Sequence, residues 1–245
     1  MILEVKNLAK YYPLERGIFK THAGFIKAVD GVSFCLHEGE ILGIVGESGC
    51  GKSTLAKLLL KLIEPTGGEI TFWPPVLRLR LDAGIVFQDP LLSLDPRMRI
   101  RDILREPLLA QRKNADGKKV SELLAEVGLD TSILRRFPSQ VSGGQRQRVC
   151  IARSLATHPK LLILDEALSS LDTITQKHIL ELLTRLQSRL ELTYIFISHN
   201  IAVVKRIASR VIVMLEGKIV EQGSVDAVFS HPQAVYTKKL LEAAR

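Results

Sequence analysis

The stretch ILGIVGESGCGKSTLAKLLL, residues 41–60, decides how this chain is expected to fold. Its first five residues are apolar and predict a buried strand over Ile41–Val45, and the run that follows Lys52 predicts a helix. Between them GESGCGKS, Gly46–Ser53, matches the pattern G-x-x-x-x-G-K-[ST] in full. Glycines let such a loop turn tightly, so that successive amides and the positive end of the helix face phosphate groups.

The residues of this loop have separate predicted tasks. Lys52 supplies a point charge to the β- and γ-phosphates of a nucleotide, and the Ser53 hydroxyl ligates Mg²⁺. An ordinary glycine-rich turn is the alternative, but the strand before the loop and the helix after it are the context that a phosphate-binding loop needs. The predicted nucleotide-binding residues of the loop are Gly46, Glu47, Ser48, Gly49, Cys50, Gly51, Lys52, Ser53 and Thr54.

A second chemical pattern is LLILDEALSSLD, residues 161–172. Its apolar start predicts a strand whose carboxyl end reaches the crevice where open α/β sheets bind ligands. Asp165 can then hold Mg²⁺ through water, and Glu166 can orient and activate the attacking water. The alternative is that both carboxylates simply face solvent. His199, in FISHN, closes another predicted strand and is a candidate for the γ-phosphate, although a lone histidine after a strand is usually structural.

Strand and helix patterns alternate along most of the chain. Further apolar runs predict strands at Ile2–Val5, Tyr194–Ile197 and Val211–Leu215. The helix after Lys52 is expected to end at Pro65, Gly67 and Gly68, and leucines at three- and four-residue steps predict a helix over QKHILELLTRLQSRL. From about Asp89 to Gln140 no strand pattern occurs, which indicates a helical insertion into an α/β domain with a largely parallel core sheet.

Composition narrows the class of protein. The 245 residues are 46% hydrophobic and 24% charged, with mean hydropathy +0.15, and no apolar run reaches the roughly 18 residues of a membrane span. The N-terminus lacks the apolar core of a signal peptide, so a cytoplasmic protein with reduced thiols at Cys35, Cys50 and Cys150 is expected. The net charge of +8 and pI near 9.5 favour an anionic partner: nucleotide, nucleic acid or a lipid surface.

The stretch VSGGQRQR, Val141–Arg148, carries no nucleophile or metal ligand. Ser142 and Gln145 have the spacing of a capping box at the start of a helix. The two glycines between them raise the entropic cost of ordering, which indicates that something approaches the backbone closely there.

Together these motifs resemble the nucleotide-binding subunits of ABC transporters over nearly the whole chain. The phosphate loop, IVFQDP, VSGGQRQR, LLILDE, SSLD and FISHN occur in the family's order. The resemblance implies a P-loop NTPase fold with a mainly parallel core sheet, an N-terminal antiparallel β subdomain and an inserted helical subdomain. Its expected boundaries are residues 1–88 and 158–245 for the core with the β subdomain, and 89–157 for the helical segment.

The resemblance also implies roles for individual residues. Tyr12 would stack on adenine, with Tyr11 as the second candidate and packing in the core as the alternative for both. Gln88 would contact Mg²⁺ and the attacking water, Glu166 would be the general base and His199 the switch histidine. The motif SSLD would cross to a partner subunit through Asp172. The family's signature, which closes on ATP bound to the opposite subunit, corresponds to Ser142, Gly143, Gly144 and Gln145.

A narrower resemblance is to the peptide and nickel importer group, carried by AVDGVSF, IVFQDPLLSLDPRM and the closing VFSHPQAVYTKKLLEAAR. Ala167 departs from the proline that is usual after the general base, and the segment 68–83 is short, so part of the antiparallel subdomain is expected to be trimmed. The implied protein is a Mg²⁺-dependent ATPase subunit at the cytoplasmic face of the membrane. Its implied partners are a second ATPase, a paralogue rather than an identical copy, two permease subunits and, indirectly, an extracytoplasmic binding protein.

A soluble ABC ATPase that acts on nucleic acid or ribosomes is the alternative, and the basic charge gives it some support. The chain lacks the long coiled-coil insertion of DNA-repair members and the fused second domain of translation members, so no nucleic-acid partner is expected. An unrelated P-loop kinase or GTPase would leave VSGGQRQR unexplained.

Overall fold

The computed structural model describes residues 1–16, 21–76, 78–112 and 115–243. The strands, in chain order, are β1 (Leu3–Arg16), β2 (Thr21–Leu36), β3 (Ile41–Val45), β4 (Gly67–Phe72), β5 (Ala83–Val86), β6 (Leu161–Asp165), β7 (Thr193–Ile197), β8 (Arg210–Leu215) and β9 (Lys218–Ser224). The helices are α1 (Lys52–Leu59), α2 (Leu79–Asp82), α3 (Pro90–Ser93), α4 (Ile100–Ala110), α5 (Gly117–Glu126), α6 (Gly143–Leu155), α7 (Thr173–Leu190), α8 (Ile201–Ile207), α9 (Val225–Ser230) and α10 (Val235–Glu242).

The chain forms two compact units, Met1–Leu77 with Ile195–Arg245, and Arg78–Tyr194. Each unit combines strands with helices, so the predicted α/β class is confirmed. Within the described part of the chain, none of the helices has both the length and the apolar character that crossing a bilayer requires.

The first unit begins with an antiparallel sheet in the order β2-β1-β4. Leu3 of β1 pairs with Leu36 on one side and with Phe72 on the other. Apolar side chains of β1, among them Leu3, Val5 and Leu8, are almost fully buried, and their burial stabilises the sheet. The predicted antiparallel subdomain is thus present, and its first strand extends well beyond the four residues that the apolar pattern indicated.

The core of the first unit is built on β3 and β8, which run parallel with Ile44 opposite Ile212. All five residues of β3 are buried, as are the four central residues of β8, which fits strands covered on both faces. The last strand, β9, pairs antiparallel with β8, and its alternating exposure is that of a strand covered on one face.

Helix α1 starts where the sequence predicts but ends earlier. Its last helical residue is Leu59, and Lys61 follows in the left-handed conformation at φ 52°. The Lys61 and Leu62 amides donate to the Leu58 and Lys57 carbonyls at 2.9 Å each, which is a Schellman end. The expectation that Pro65 and the following glycines end the helix was wrong, because the two glycines begin β4.

The second unit pairs β5 with β6 in parallel, with Val86 opposite Leu164. Strand β7 begins beside β6 in this unit, where the Thr193 amide donates to the Lys160 carbonyl at 3.0 Å, and ends in the first unit. Among the described residues of 89–157 there are helices and no strand, as predicted. The finer boundaries at 88 and 158 stay a prediction, and the helical segment lies inside the larger unit Arg78–Tyr194.

Candidate functional site

The glycine-rich loop joins β3 to α1 through backbone conformations that favour glycine. Gly46 and Gly51 have φ values of 153° and 107°. A Cβ on Gly46 would meet the Met214 carbonyl oxygen, and one on Gly51 would meet the Ala28 carbonyl oxygen, so neither position has room for a side chain. The loop therefore packs its backbone directly against neighbouring backbone of the first unit.

Lys52, the first residue of α1, carries its ammonium group at the centre of this loop. The side chain is only 3% exposed, and its Nζ donates to the carbonyl oxygens of Gly46 and Glu47 at 2.8 Å each. Gly51 precedes the helix and supplies no side-chain cap. A helix start without a side-chain cap, a tightly turned loop and a fixed ammonium are the features that bind an anion such as phosphate.

The other loop residues divide by exposure. Ser48, Gly49 and Ser53 are exposed, and Thr54 is half-buried. Cys50 is buried, with its Sγ 3.8 Å from the Lys52 Nζ, and burial raises the pKa of its thiol against the opposing effect of the lysine. Cys50 is thus a packed thiol, whereas Ser48 and Ser53 are exposed residues.

His199 lies at the same edge of the first unit as the phosphate loop. The amide of Ser198, directly after β7, donates to the carbonyl of Ile44 near the end of β3, at 3.1 Å. Asn200 then caps α8 by accepting from the Val203 amide at 3.3 Å. The exposed His199 is therefore held between a strand end and a capped helix, which fixes its backbone beside the loop.

The two candidate aromatic residues on β1 differ in their partners. The Tyr11 hydroxyl donates to Asp30 Oδ1 at 2.5 Å, and this hydrogen bond raises the pKa of Tyr11 and lowers that of Asp30. Tyr12 is 39% exposed and has the Lys10 ammonium 5.3 Å from its ring centroid. Tyr11 is engaged within the sheet, whereas Tyr12 offers an exposed ring, which fits the predicted preference for Tyr12 as the stacking residue.

In the second unit, Gln88, Asp165 and Glu166 come to one edge. Because Val86 and Leu164 are opposite each other in parallel strands, Gln88 and Glu166, each two residues beyond this pair, lie at the same level. Asp165 is 6% exposed, and Glu166 leaves the strand in the left-handed conformation at φ 49°. The structure brings these three predicted residues of the second unit together.

The segment after Glu166 is a tight turn that leads into α7. The amide and hydroxyl of Ser169 both donate to the Glu166 carbonyl, at 3.1 and 2.9 Å. Ala167, at the position where the resemblance leads one to expect proline, is 2% exposed. Asp172 caps α7 by accepting from the Ile174 and Thr175 amides at 3.1 and 2.9 Å, and the Thr175 bonds hold the pKa of this carboxyl below its usual range.

The predicted capping box at the start of α6 is present. The Ser142 amide donates to Gln145 Oε1 at 3.0 Å, and the Gln145 amide donates to Ser142 Oγ at 3.2 Å. A Cβ on Gly144 would lie 2.8 Å from Thr175 Cγ2, whereas one on Gly143 would have its nearest neighbour at 3.7 Å. Packing inside the chain thus explains Gly144 and leaves Gly143 without an internal reason.

Thr175, which packs against Gly144 of the signature, also contacts Asp172. The Thr175 hydroxyl donates to Asp172 Oδ2 at 2.7 Å, so Gly144, Thr175 and Asp172 form one continuous cluster in the second unit. The predicted residues therefore fall into two groups. The phosphate loop, Tyr12 and His199 belong to the first unit, and all the others belong to the second.

The predicted metal ligands supply oxygen donors of the kind that Mg²⁺ prefers. They are a hydroxyl from Ser53, an amide oxygen from Gln88 and a carboxylate from Asp165. The described residues contain no group of three or more His, Cys, Asp or Glu side chains that would hold a metal ion by itself. This donor set fits an ion that also takes ligands from a nucleotide's phosphates.

One contact of the loop was missed by sequence reasoning. The backbone amide of Glu47 donates to the hydroxyl of Tyr236 at 3.1 Å, across 189 positions of sequence. No local pattern marks Tyr236, because it lies on a short C-terminal helix far along the chain from the loop that it contacts.

Comparison with known proteins identifies the family. The family model described as "ABC transporter" matches residues 29–169. The oligopeptide transport ATP-binding protein AppF of Bacillus subtilis is 43% identical over 99% of this chain and 78% of that protein. The glutathione import ATP-binding protein GsiA of Pectobacterium atrosepticum is 46% identical over 99% of this chain, which spans only 41% of GsiA.

Solved structures agree with the sequence relatives. The cbiO1 protein of Clostridium perfringens, part of the ABC transporter complex cbiONQ, has a TM-score of 0.79 and 30% identity, over 94% of this chain and 91% of that one. The ATP-binding cassette MJ0796, solved as a dimer in a post-hydrolysis state with ADP and Pi, has a TM-score of 0.78 and 29% identity. That match covers 91% of this chain and 99% of the cassette.

Proposed function

Because the chain belongs to the ABC transporter family, we propose that it is the ATP-hydrolysing subunit of an importer, with peptides as the transported class. The observation that carries this proposal is the loop around Lys52, whose buried ammonium, tight backbone and helix start without a side-chain cap are suited to the phosphates of ATP. The exposed ring of Tyr12 would support the adenine.

The residues at the strand ends supply the chemistry of hydrolysis in this proposal. Glu166 accepts a proton from the attacking water, and Gln88 and His199 position the water and the γ-phosphate. When bound, Mg²⁺ supplies charge neutralisation on the phosphate oxygens, and Ser53, Gln88 and Asp165 are the residues that would hold it. Lys52 stabilises the charge that develops on the leaving phosphates.

The signature requires a second subunit in this proposal. Gly143 is unconstrained by the chain's own packing, which fits a backbone that a nucleotide on another subunit approaches. The related cassette MJ0796 was solved as a dimer. We therefore propose a head-to-tail pair of ATPase subunits, with a paralogue favoured as the second one, acting on two permease subunits at the cytoplasmic face of the membrane.

The proposed cargo rests on the relatives. AppF is named for oligopeptide transport, GsiA for glutathione import, and DppF of Escherichia coli, 43% identical over 99% of this chain and 76% of that protein, for dipeptide transport. All three names denote peptide cargo or a short peptide, which favours peptides over the nickel side of the predicted group. An extracytoplasmic binding protein would select the cargo, and this chain would not touch it.

The experiment that tests hydrolysis is Glu166→Gln. The amide keeps the shape of the side chain but cannot accept the proton, so turnover of MgATP should fall by about a hundredfold or more, with ATP binding retained. Phosphate release measures turnover, and equilibrium binding of a fluorescent ATP analogue measures affinity. Turnover near that of the wild type would remove Glu166 from this role.

The matched comparison is Lys52→Ala, which removes the charge but leaves Glu166 in place. It should abolish ATP binding at ordinary nucleotide concentrations. The two variants therefore separate binding from chemistry, and tight residual binding by Lys52→Ala would contradict the assignment of the loop.

A further inference from the structure

We infer that Tyr236 is a positioning residue for the phosphate loop and that it acts through the backbone of Glu47. The Tyr236 hydroxyl accepts the hydrogen bond of the Glu47 amide at 3.1 Å, and both residues belong to the first unit. The inference rests on the proposed function, since it concerns how the same loop is held in shape for ATP.

The Glu47 residue links Tyr236 to Lys52. Its carbonyl oxygen accepts from the Lys52 ammonium at 2.8 Å and from the Cys50 amide at 3.3 Å. Its amide, on the other side of the same residue, is taken by Tyr236. Glu47, whose carbonyl accepts from the buried lysine, is therefore also held at its amide, and that second hydrogen bond goes to Tyr236, which lies outside the loop.

The Glu47 amide differs from a phosphate-binding amide of the loop, because its hydrogen bond goes to a side chain of the protein. A P-loop presents successive amides and the start of its helix to phosphate, and here α1 begins only at Lys52. The Glu47 amide instead points to a side chain on α10. Tyr236 therefore shapes the first turn of the loop, at the end away from α1.

The start of α10 is fixed well enough to serve this purpose. The carboxylate of Glu221, on β9, accepts from the amides of Gln233 and Ala234 at 2.8 and 3.1 Å, directly before the helix. Thr237, next to Tyr236, is fully buried. Glu221 thus fixes the two residues that lead into α10.

Further along, α10 is less closely packed. Lys238, Leu241 and Glu242 line a cavity of about 400 Å³ together with residues of α8 and α9. The position of Tyr236 therefore depends mainly on the start of the helix, which makes Glu221 the second residue whose loss should reach the loop.

The test is Tyr236→Phe, which removes the hydroxyl and keeps the ring. Loss of one hydrogen bond from the loop should raise the dissociation constant for ATP, and the KM of hydrolysis, about three- to tenfold, with kcat changed less than twofold. Hydrogen exchange of the Glu47 amide, followed by NMR, should become faster. A purely structural role would lower the melting temperature and leave the affinity unchanged.

Two further variants sharpen the test. Glu221→Gln weakens the hydrogen bonds that hold the residues before α10 and should also raise the dissociation constant for ATP. In the Tyr236→Phe background it should have little added effect, because both substitutions act through the contact between Tyr236 and Glu47. Lys239→Gln, at an exposed position of the same helix, is the control and should leave ATP affinity and Glu47 exchange unchanged.

The outcomes separate this inference from the proposed function. Unchanged ATP affinity and unchanged Glu47 exchange in Tyr236→Phe overturn the inference while the wild type still binds ATP. Tighter ATP binding by Tyr236→Phe also overturns it, because the hydroxyl would then compete with the nucleotide. Failure of the wild-type chain to bind ATP would overturn the proposed function itself, and the inference with it.

Discussion

Gly143 and Gly144 are adjacent in the sequence, yet different constraints act on them. Gly144 meets Thr175, whose hydroxyl is bound to Asp172 at 2.7 Å and so cannot turn away freely. Gly143 has no neighbour closer than 3.7 Å to an added Cβ. Gly144 is required by the chain's own packing, whereas Gly143 has room for a side chain.

Alanine should therefore change the free energy of unfolding much more at Gly144 than at Gly143. Gly144→Ala should lower the free energy of unfolding by about 1–3 kcal/mol, because the methyl group overpacks a fixed contact. Gly143→Ala should change it by less than about 0.5 kcal/mol, since the methyl group has room and alanine favours a helix. Urea denaturation measures both.

ATP hydrolysis is expected to be sensitive to Gly143, even though the stability of the protein is not. Gly143→Ala should lower ATP turnover at least about tenfold with the fold intact, because the bare backbone is proposed to meet a nucleotide. Full activity in a stable Gly143→Ala chain would argue against that use of the glycine.

At the scale of an element, the end of α1 illustrates how a helix is stopped. Lys61 adopts φ 52° at the position where a Schellman end favours glycine, and the amides of Lys61 and Leu62 satisfy carbonyls of the last turn. The helix ends there by backbone conformation and hydrogen bonding, before the proline is reached.

Glycine in place of a lysine inside this helix, and in place of one just beyond its end, should change the stability of the protein in opposite directions. Lys61→Gly should stabilise the protein by about 0.5–1 kcal/mol, because glycine adopts the left-handed conformation without steric cost. Lys57→Gly, at an exposed position inside the helix, should destabilise it by about 1 kcal/mol. Denaturant midpoints measure the difference, and a loss of stability in Lys61→Gly would contradict this account.

At the scale of the whole molecule, the chain carries one phosphate loop and one signature motif. The Ser142 hydroxyl caps α6 by accepting a hydrogen bond from the Gln145 amide of the same chain. We propose that this helix start also completes the nucleotide site of a partner subunit. A substitution there should therefore separate ATP binding, which needs one chain, from hydrolysis, which needs two.

Ser142→Arg is expected to leave ATP binding by the isolated chain intact while blocking dimer closure and hydrolysis, because a bulky side chain stands between the subunits. Ser142→Ala is the control, since it removes the same cap without adding bulk and should retain more activity. Binding is measured by equilibrium titration, closure by ATP-dependent gel filtration and turnover by phosphate release. Hydrolysis at the wild-type rate in Ser142→Arg would disprove the shared site.

Much of the fold was readable because its signals are local. Apolar runs predicted β3, β6 and β8 to within a residue at each end, and the capping-box spacing predicted the start of α6. The strands β4 and β9 escaped notice, because their half-exposed, mixed residues satisfy no simple apolar pattern. A strand can be recognised from its sequence only when its own residues favour it, and not when packing against neighbouring elements stabilises it.

The sequence by itself determined the glycine-rich turn, the strand before it and the lysine at its end, because these features depend on neighbouring residues and on backbone sterics. The tertiary structure alone decided what Glu47 contacts, since its partner Tyr236 lies 189 residues away. It also decided that Gly144 is constrained and Gly143 is not, because that difference depends on where Thr175 of another helix packs. Contacts between distant segments form only when the chain folds, so no local pattern records them.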